Sequence, residues 1–132
     1  MDIKIIDIPK ITDPRGNLAV IEGDTIPFKM ERVYYLYDVP STSQRGGHAH
    51  KELCQLIIAL SGSFDVVLDD GKLRKTVTLN KPDKGLLIPT MVWRELENFS
   101  SGAVCMVVAS MEFSEADYIR DYEKFVGLFQ SL

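Results

Sequence analysis

The chain is poor in several of the residue types that announce a function. It has only two cysteines, Cys54 and Cys105, each in an apolar run where a thiol behaves as a small hydrophobe. Both read as reduced core residues, which excludes a disulfide framework. Positive charge is not in excess: 15 Lys and Arg stand against 19 Asp and Glu, a net charge of −4. That leaves no electrostatic footprint for nucleic acid or for an anionic membrane. Any anionic ligand must be caught by a local cluster of Arg and Lys. No apolar stretch approaches the roughly 20 residues needed to span a bilayer. Met1-Asp2-Ile3-Lys4 also lacks the apolar segment of a signal peptide, so a cytoplasmic location is expected. Histidine is as scarce as cysteine, with two in the whole chain, and Trp93 is the one tryptophan.

What is present fits a soluble globular protein. Hydrophobic residues make up 45% and charged residues 26%, enough to build a core without a structural metal. A single domain over 1–132 is expected. Short runs rich in β-branched and aromatic residues read as strands from about 3 to 110: Ile3 to Ile8, Leu18 to Ile21, Val33 to Val39, Leu53 to Leu60, Phe64 to Leu68, Leu73 to Leu79, Gly85 to Ile88, Val92 to Asn98 and Val104 to Ser110. Turn residues separate them, notably Asp13-Pro14-Arg15-Gly16 and Asp69-Asp70-Gly71-Lys72. Asp70-Gly71 between two alternating runs is a hairpin signal, because glycine accepts the positive φ such turns need. The pattern predicts an all-β antiparallel sandwich or barrel. The tail differs. Ser114 followed by Asp117 resembles a helix start, and Ile119, Tyr122, Phe125, Val126 and Phe129 recur at helical spacing. One amphipathic helix over about 115–129 is predicted, packed on the barrel or on a partner subunit.

The two histidines, His48 and His50, sit at i and i+2. On a strand that spacing points both imidazoles to one face. Two groups that titrate near neutrality, side by side, suit proton transfer or metal binding. Gln44-Arg45-Gly46-Gly47 precedes the pair and Lys51 follows it. The glycines allow close backbone approach to a ligand, and Arg45 and Lys51 are candidates to hold phosphate.

His48-x-His50, then Gln55 and Gly62, resembles the first cupin motif, and Gly85, Pro89, Arg94 and Asn98 echo the second. Metal-binding cupins hold their ion with three histidines and a carboxylate. Here Gln55 stands where that carboxylate is usual, and Arg94 stands where the third histidine is expected. A guanidinium stays charged, accepts no metal and repels a cation. No metal site is therefore expected. The fuller resemblance is to the metal-free dTDP-4-keto-6-deoxyglucose 3,4-ketoisomerases, the FdtA-like or WxcM-like sugar-nucleotide cupins. It rests on Asp13-Pro14-Arg15-Gly16, Arg32-Val33-Tyr34-Tyr35, Arg45-Gly46-Gly47-His48-Ala49-His50-Lys51, Leu68-Asp69-Asp70-Gly71, Val92-Trp93-Arg94-Glu95 and Asp117-Tyr118-Ile119-Arg120. These segments cover nearly the whole chain.

The resemblance implies a cupin-type antiparallel β-barrel, a jelly roll, that isomerises a dTDP-linked 4-keto-6-deoxyhexose. It also implies a homodimer, and a product passed to an aminotransferase for a surface glycan. No cofactor is required, because the substrate's own carbonyl is the electron sink. A base, an acid and donors for the enediolate oxygens are required instead. The resemblance points to His48 and His50 as the proton-transfer pair and leaves their division of labour open. Tyr34 is the candidate phenolic donor. Its strand face reads Arg32, Tyr34, Leu36, Asp38, whereas the face Val33, Tyr35, Tyr37, Val39 is expected to be packed. Tyr35 is the second candidate. Arg15, Arg32 and Arg94 are candidates for the sugar or diphosphate, since Arg forks match phosphate oxygens. Trp93 is a candidate to stack on thymine, and Gln55 to bond the sugar or order a histidine. A metal-dependent cupin, a non-catalytic sugar-binding cupin and a dTDP-sugar 3,5-epimerase are the competing readings.

Overall fold

A computed structural model describes residues 1–130. The last two residues of the expected 1–132 domain lie outside the described ones. The strands are β1 (Lys4–Asp7), β2 (Lys10–Asp13), β3 (Gly16–Ala19), β4 (Arg32–Leu36), β5 (Arg45–His50), β6 (Gln55–Ser61), β7 (Phe64–Asp69), β8 (Arg74–Leu79), β9 (Lys84–Ile88), β10 (Trp93–Glu97), β11 (Val104–Ala109) and β12 (Tyr118–Ile119). One α-helix follows, α1 (Tyr122–Gln130). Short 3₁₀ turns occupy Gly23–Thr25 and Glu115–Asp117.

Every strand pair is antiparallel. One five-stranded sheet runs β1-β9-β6-β11-β4, and a second runs β12-β5-β10-β7-β8. The sheets face each other in the cupin manner without closing into a complete barrel. Strand alternation explains the core. Ile57 and Ala59 of β6, Phe64, Val66 and Leu68 of β7, and Cys105 and Val107 of β11 all point between the sheets. The intervening Leu56, Ile58 and Val108 point outward, where Ile8 and Ile26 cover them. Strands β6 and β11 are thus buried on both faces, which is why their sequences read as continuous apolar runs. The hairpin of β7 and β8 turns at Asp70, whose Oδ1 accepts the Lys72 and Leu73 amides. Gly71 there has φ +92°, and a Cβ on it would lie 2.5 Å from the Phe129 ring. Glycine is needed both for the turn and for the approach of α1.

The structure corrects two expectations. The helix begins at Tyr122, not near residue 115. Its cap is Asp121, whose Oδ1 accepts the Lys124 amide at 3.1 Å. Ser114 makes no side-chain cap, and the Asp117 carboxylate turns inward to other partners. Of the face expected to be packed only Val39 meets the core; Val33 and Tyr35 of β4 and Tyr37 just beyond it are 56%, 61% and 62% exposed. The reason is position, since β4 is an edge strand and the segment covering its neighbours stops short of it. The hairpin of β2 and β3 pairs only with itself, and its cross-strand pair Ile11 and Leu18 is exposed. Among the described residues no helix is long and apolar enough to cross a membrane.

Candidate active site

At one end of the two facing sheets lies a cavity of about 490 Å³. The first sheet lines it with Arg32, Tyr34 and Leu36 from β4 and with Gln55 and Ile57 from β6. The second contributes Arg45, Gly46 and His48 from β5, Arg94 and Leu96 from β10 and Tyr118 from β12, with Arg120 just beyond. The floor is apolar and the upper wall is polar and cationic.

The i, i+2 spacing acts as expected. His48 and His50 project from the same face of β5, with ring centroids 4.8 Å apart and planes 82° apart. Their surroundings differ. His48 lines the cavity, whereas His50 is fully buried and does not. Tyr118 pairs with His50 across the strands, and its ring lies 4.4 Å from His50 and 4.8 Å from His48. Both tautomers follow from hydrogen bonding. His48 Nδ1 lies 3.0 Å from the Gly46 carbonyl and His50 Nδ1 lies 3.0 Å from Asp117 Oδ2. A carbonyl or carboxylate only accepts, so each Nδ1 carries the hydrogen and each neutral ring keeps its lone pair on Nε2. Both Nε2 atoms are buried without a protein partner among the described residues. Burial, then the Arg94 charge, pushes His48 down to about 4. The same two causes and then His48 itself push His50 down to about 3. Both imidazoles are therefore neutral near pH 7.

From Arg94, the cross-strand neighbour of His48, a chain of hydrogen bonds crosses to the facing sheet. Arg94 donates from Nη1 to Gln55 Oε1 at 2.6 Å and from Nη2 to the Val92 carbonyl at 2.8 Å. Gln55 Nε2 then donates to the Tyr34 hydroxyl oxygen at 3.0 Å. Because Arg94 can only donate, the orientation of the Gln55 amide is fixed, and the Tyr34 O–H is left free to point elsewhere. Burial raises the Tyr34 pKa, so the phenol keeps its proton. Arg94 is 1% exposed; burial lowers it to about 10, which leaves it charged at neutral pH. Its hydrogen-bond partners are neutral. Among the described residues no three His, Cys, Asp or Glu side chains are grouped to hold a metal ion.

Three more arginines stand in the wall, Arg32, Arg45 and Arg120. The Arg32 guanidinium lies 4.5 Å from the Tyr34 ring centroid and 5.5 Å from that of Phe113, with Nη1 buried and unpartnered among the described residues. Arg120 lies over Tyr118 at 4.1 Å and bonds Glu115 through Nε and Nη2.

Of the residues singled out in the sequence, the cavity gathers Arg32, Tyr34, Arg45, His48, Gln55 and Arg94. His50 lies behind it, and four others are elsewhere. Trp93 precedes Arg94 on β10, so alternation turns it to the opposite face, where it packs with Ala49, Ile119 and Phe125. Arg15 lies in the β2–β3 turn, exposed and paired with Asp13 at 2.9 Å. Lys51 is exposed beside Ile119, Asp121 and Lys124. Tyr35 faces away from the cavity. Tyr118, Arg120 and Asp117 join the site unannounced as site residues: Asp117 reads as part of a helix start, although the Asp117-Tyr118-Ile119-Arg120 stretch belongs to the family pattern.

The comparisons with known proteins give the family. The family model described as FdtA: WxcM-like, C-terminal matches residues 1–130. A TDP-4-oxo-6-deoxy-alpha-D-glucose-3,4-oxoisomerase from Aneurinibacillus thermoaerophilus is 46% identical over 126 residues, covering 95% of this chain and 91% of that protein. A 3,4-ketoisomerase from Helicobacter canadensis superposes with a TM-score of 0.95 at 44% identity, over 98% of each chain. A histidine-to-asparagine mutant of the 3,4-ketoisomerase QdtA from Thermoanaerobacterium thermosaccharolyticum, in complex with TDP-4-keto-6-deoxyglucose, also gives 0.95, at 38% identity over 98% of this chain and 95% of that one. By its sequence, its fold and the constellation around His48, this chain belongs to the FdtA, WxcM-like family.

Proposed function

We propose that the chain is a sugar-nucleotide 3,4-ketoisomerase, converting dTDP-4-keto-6-deoxyglucose to a dTDP-3-keto-6-deoxyhexose by proton transfer through an enediolate. The observation that carries this reading is the buried chain that starts at Arg94, the cross-strand neighbour of a neutral His48, and runs through Gln55 to Tyr34 on the facing sheet. It supplies what the reaction needs: a base, a proton donor and a fixed positive charge where an oxyanion develops.

The C4 carbonyl acidifies the hydrogen on C3. His48 Nε2 takes that proton as a C3–C4 double bond forms and the electron pair moves onto O4. A proton then returns to C4, the O3 hydroxyl proton is transferred to O4, and the C3 carbonyl forms. The net change exchanges a keto group and a hydroxyl, so no electron donor or acceptor is needed. Tyr34 donates to the enediolate oxygen, and the Arg94 charge stabilises it without an intervening carboxylate. The developing enediolate counters Arg94, the second cause after burial of the lowered His48 pKa, and so favours protonation of His48 as the C3 proton is transferred. Arg32, Arg45 and Arg120 are the cations available to the diphosphate. His50 supports the pair from behind the cavity wall.

The same reading includes a cytoplasmic homodimer. The exposed Ile11 and Leu18 of the projecting hairpin and the bare Val33-Tyr35 face are apolar surface of the kind that subunits cover. A solution mass of twice the 14.9 kDa chain would support it, and a monomer at working concentration would not. For the activity, purified protein is incubated with dTDP-4-keto-6-deoxyglucose and followed by NMR. Replacement of the C4 carbonyl by a C3 carbonyl is expected. An unchanged substrate would overturn the reading.

A further inference from the structure

Asp117 is a buried carboxylate that the proton-transfer scheme above does not use. It comes from a 3₁₀ turn, 67 positions along the chain from the histidine it meets. Its Oδ1 accepts the Glu52 amide at 2.7 Å. Its Oδ2 accepts the Leu53 amide at 3.3 Å and His50 Nδ1–H at 3.0 Å. Two backbone donors thus fix the carboxylate before it meets the imidazole. The next residue, Tyr118, lays its ring 4.4 Å from the same imidazole, so one short segment sets both the hydrogen-bond partner and the plane of His50.

We propose that Asp117 is the positioning residue of the histidine pair: it holds His50 in the Nδ1–H tautomer, with the Nε2 lone pair turned away from the carboxylate and the ring set edge-on against His48. This rests on the reading of His48 and His50 as the proton-transfer pair. The chemistry of the carboxylate gives the consequence. Asparagine keeps one oxygen and gains an NH₂. With the oxygen on the closer Glu52 amide, the NH₂ faces His50 Nδ1, which must then accept. The hydrogen moves to Nε2 and a buried donor replaces a buried acceptor behind His48. That rotamer sets NH₂ against the Leu53 N–H, a long contact of 3.3 Å, whereas the opposite one sets it against the Glu52 N–H at 2.7 Å, two donors at the shortest contact, and is the poorer choice.

The test exploits the scarcity of histidine. Labelling with ¹⁵N-histidine gives only four ring nitrogens, and the loss of two in His48→Asn assigns the rest to His50. In the wild type His50 is expected to be protonated on Nδ1 alone across neutral pH. Asp117→Asn is expected to invert that pattern. Its kcat should fall about 10- to 100-fold with KM little changed. That is short of the ~10⁴ loss seen when the histidine so held is itself the base. Asp117→Glu keeps a carboxylate and is expected to retain the wild-type tautomer. A wild-type His50 protonated on Nε2 would overturn the proposal. So would a folded Asp117→Asn protein with the wild-type pattern and wild-type kcat. If the asparagine variant does not fold, the wild-type spectrum and Asp117→Glu decide the matter. A failure of the ketoisomerase reading looks different: the tautomers stand as described while wild-type protein leaves the substrate unchanged.

Discussion

Arg94 donates to Gln55 Oε1 at 2.6 Å, so a fully buried guanidinium is held by a neutral amide where a carboxylate would cancel its charge. A buried charge is costly when left uncompensated; here Nη1 and Nη2 are hydrogen-bonded, while Nε is buried without a partner among the described residues. The uncancelled charge is what the site offers an enediolate. Gln55→Glu tests this. Glutamate would pair with Arg94 and remove the donor to Tyr34, so the phenol hydrogen would turn toward the new carboxylate. Activity is expected to fall about 10²-fold, the scale for loss of one oxyanion donor. Thermal stability should be kept or raised. Steady-state kinetics with a melting curve checks it; unchanged turnover would separate Arg94 from the chemistry.

The histidines couple acidity to folding. Both have a folded pKa depressed below the ordinary 6.5, His48 to about 4 and His50 to about 3. The unfolded chain therefore binds more protons than the folded one below pH 6.5. Stability contributed by the neutral rings is fully present above about 6.5. It is lost as pH falls from there through about 4 and then 3. The melting temperature should decline across that window, and less steeply in His48→Asn. Activity of the free enzyme should stay flat from pH 8 to about 5 and drop only as His48 is protonated. A titration of kcat/KM with a midpoint near 6.5 would contradict the neutral, buried environment assigned to His48.

Trp93 separates packing from binding. Its ring is buried under α1, 5.8 Å from Phe125 and 5.3 Å from Tyr122, on the face of β10 opposite Arg94. Trp93→Phe is expected to cost about 1–3 kcal/mol of stability, read by denaturant unfolding. KM for the nucleotide sugar should not move. A large rise in KM with little loss of stability would restore Trp93 to the site.

The contrast between Trp93 and Arg94 shows what was legible in the sequence. The His48 and His50 pair, Gln55 and Arg94 lie on strands, where period-two alternation and motif spacing carry into space even with a bulge in the β10–β5 register beside Arg94. The same alternation, with Arg94 turned toward the cavity, turns Trp93 away. Tyr34 lines the cavity, but packing of the opposite face is not the reason: Val33 and Tyr35 are bare because β4 is an edge, a fact of sheet order that no local pattern contains. Asp117 and Tyr118 were hidden for another reason. Ser114 and Asp117 mimic a capping signal, while the true cap is Asp121, and the register of Tyr118 against His50 is a long-range contact. Arg15 lies on a hairpin that pairs only with itself, so its position gives no access to the cavity of its own chain.

The account stands or falls on where hydrogen is exchanged. Wild-type protein and His48→Asn are each incubated with dTDP-4-keto-6-deoxyglucose in deuterated water, and the products are read by NMR. Wild-type protein should yield a 3-keto sugar carrying deuterium at C4 and none at C5. His48→Asn should be slower by about 10²- to 10⁴-fold, the usual contribution of a general base, with its fold intact. Deuterium at C3 and C5 with the keto group still at C4 would identify an epimerase. Normal turnover by His48→Asn would contradict the assignment of the base.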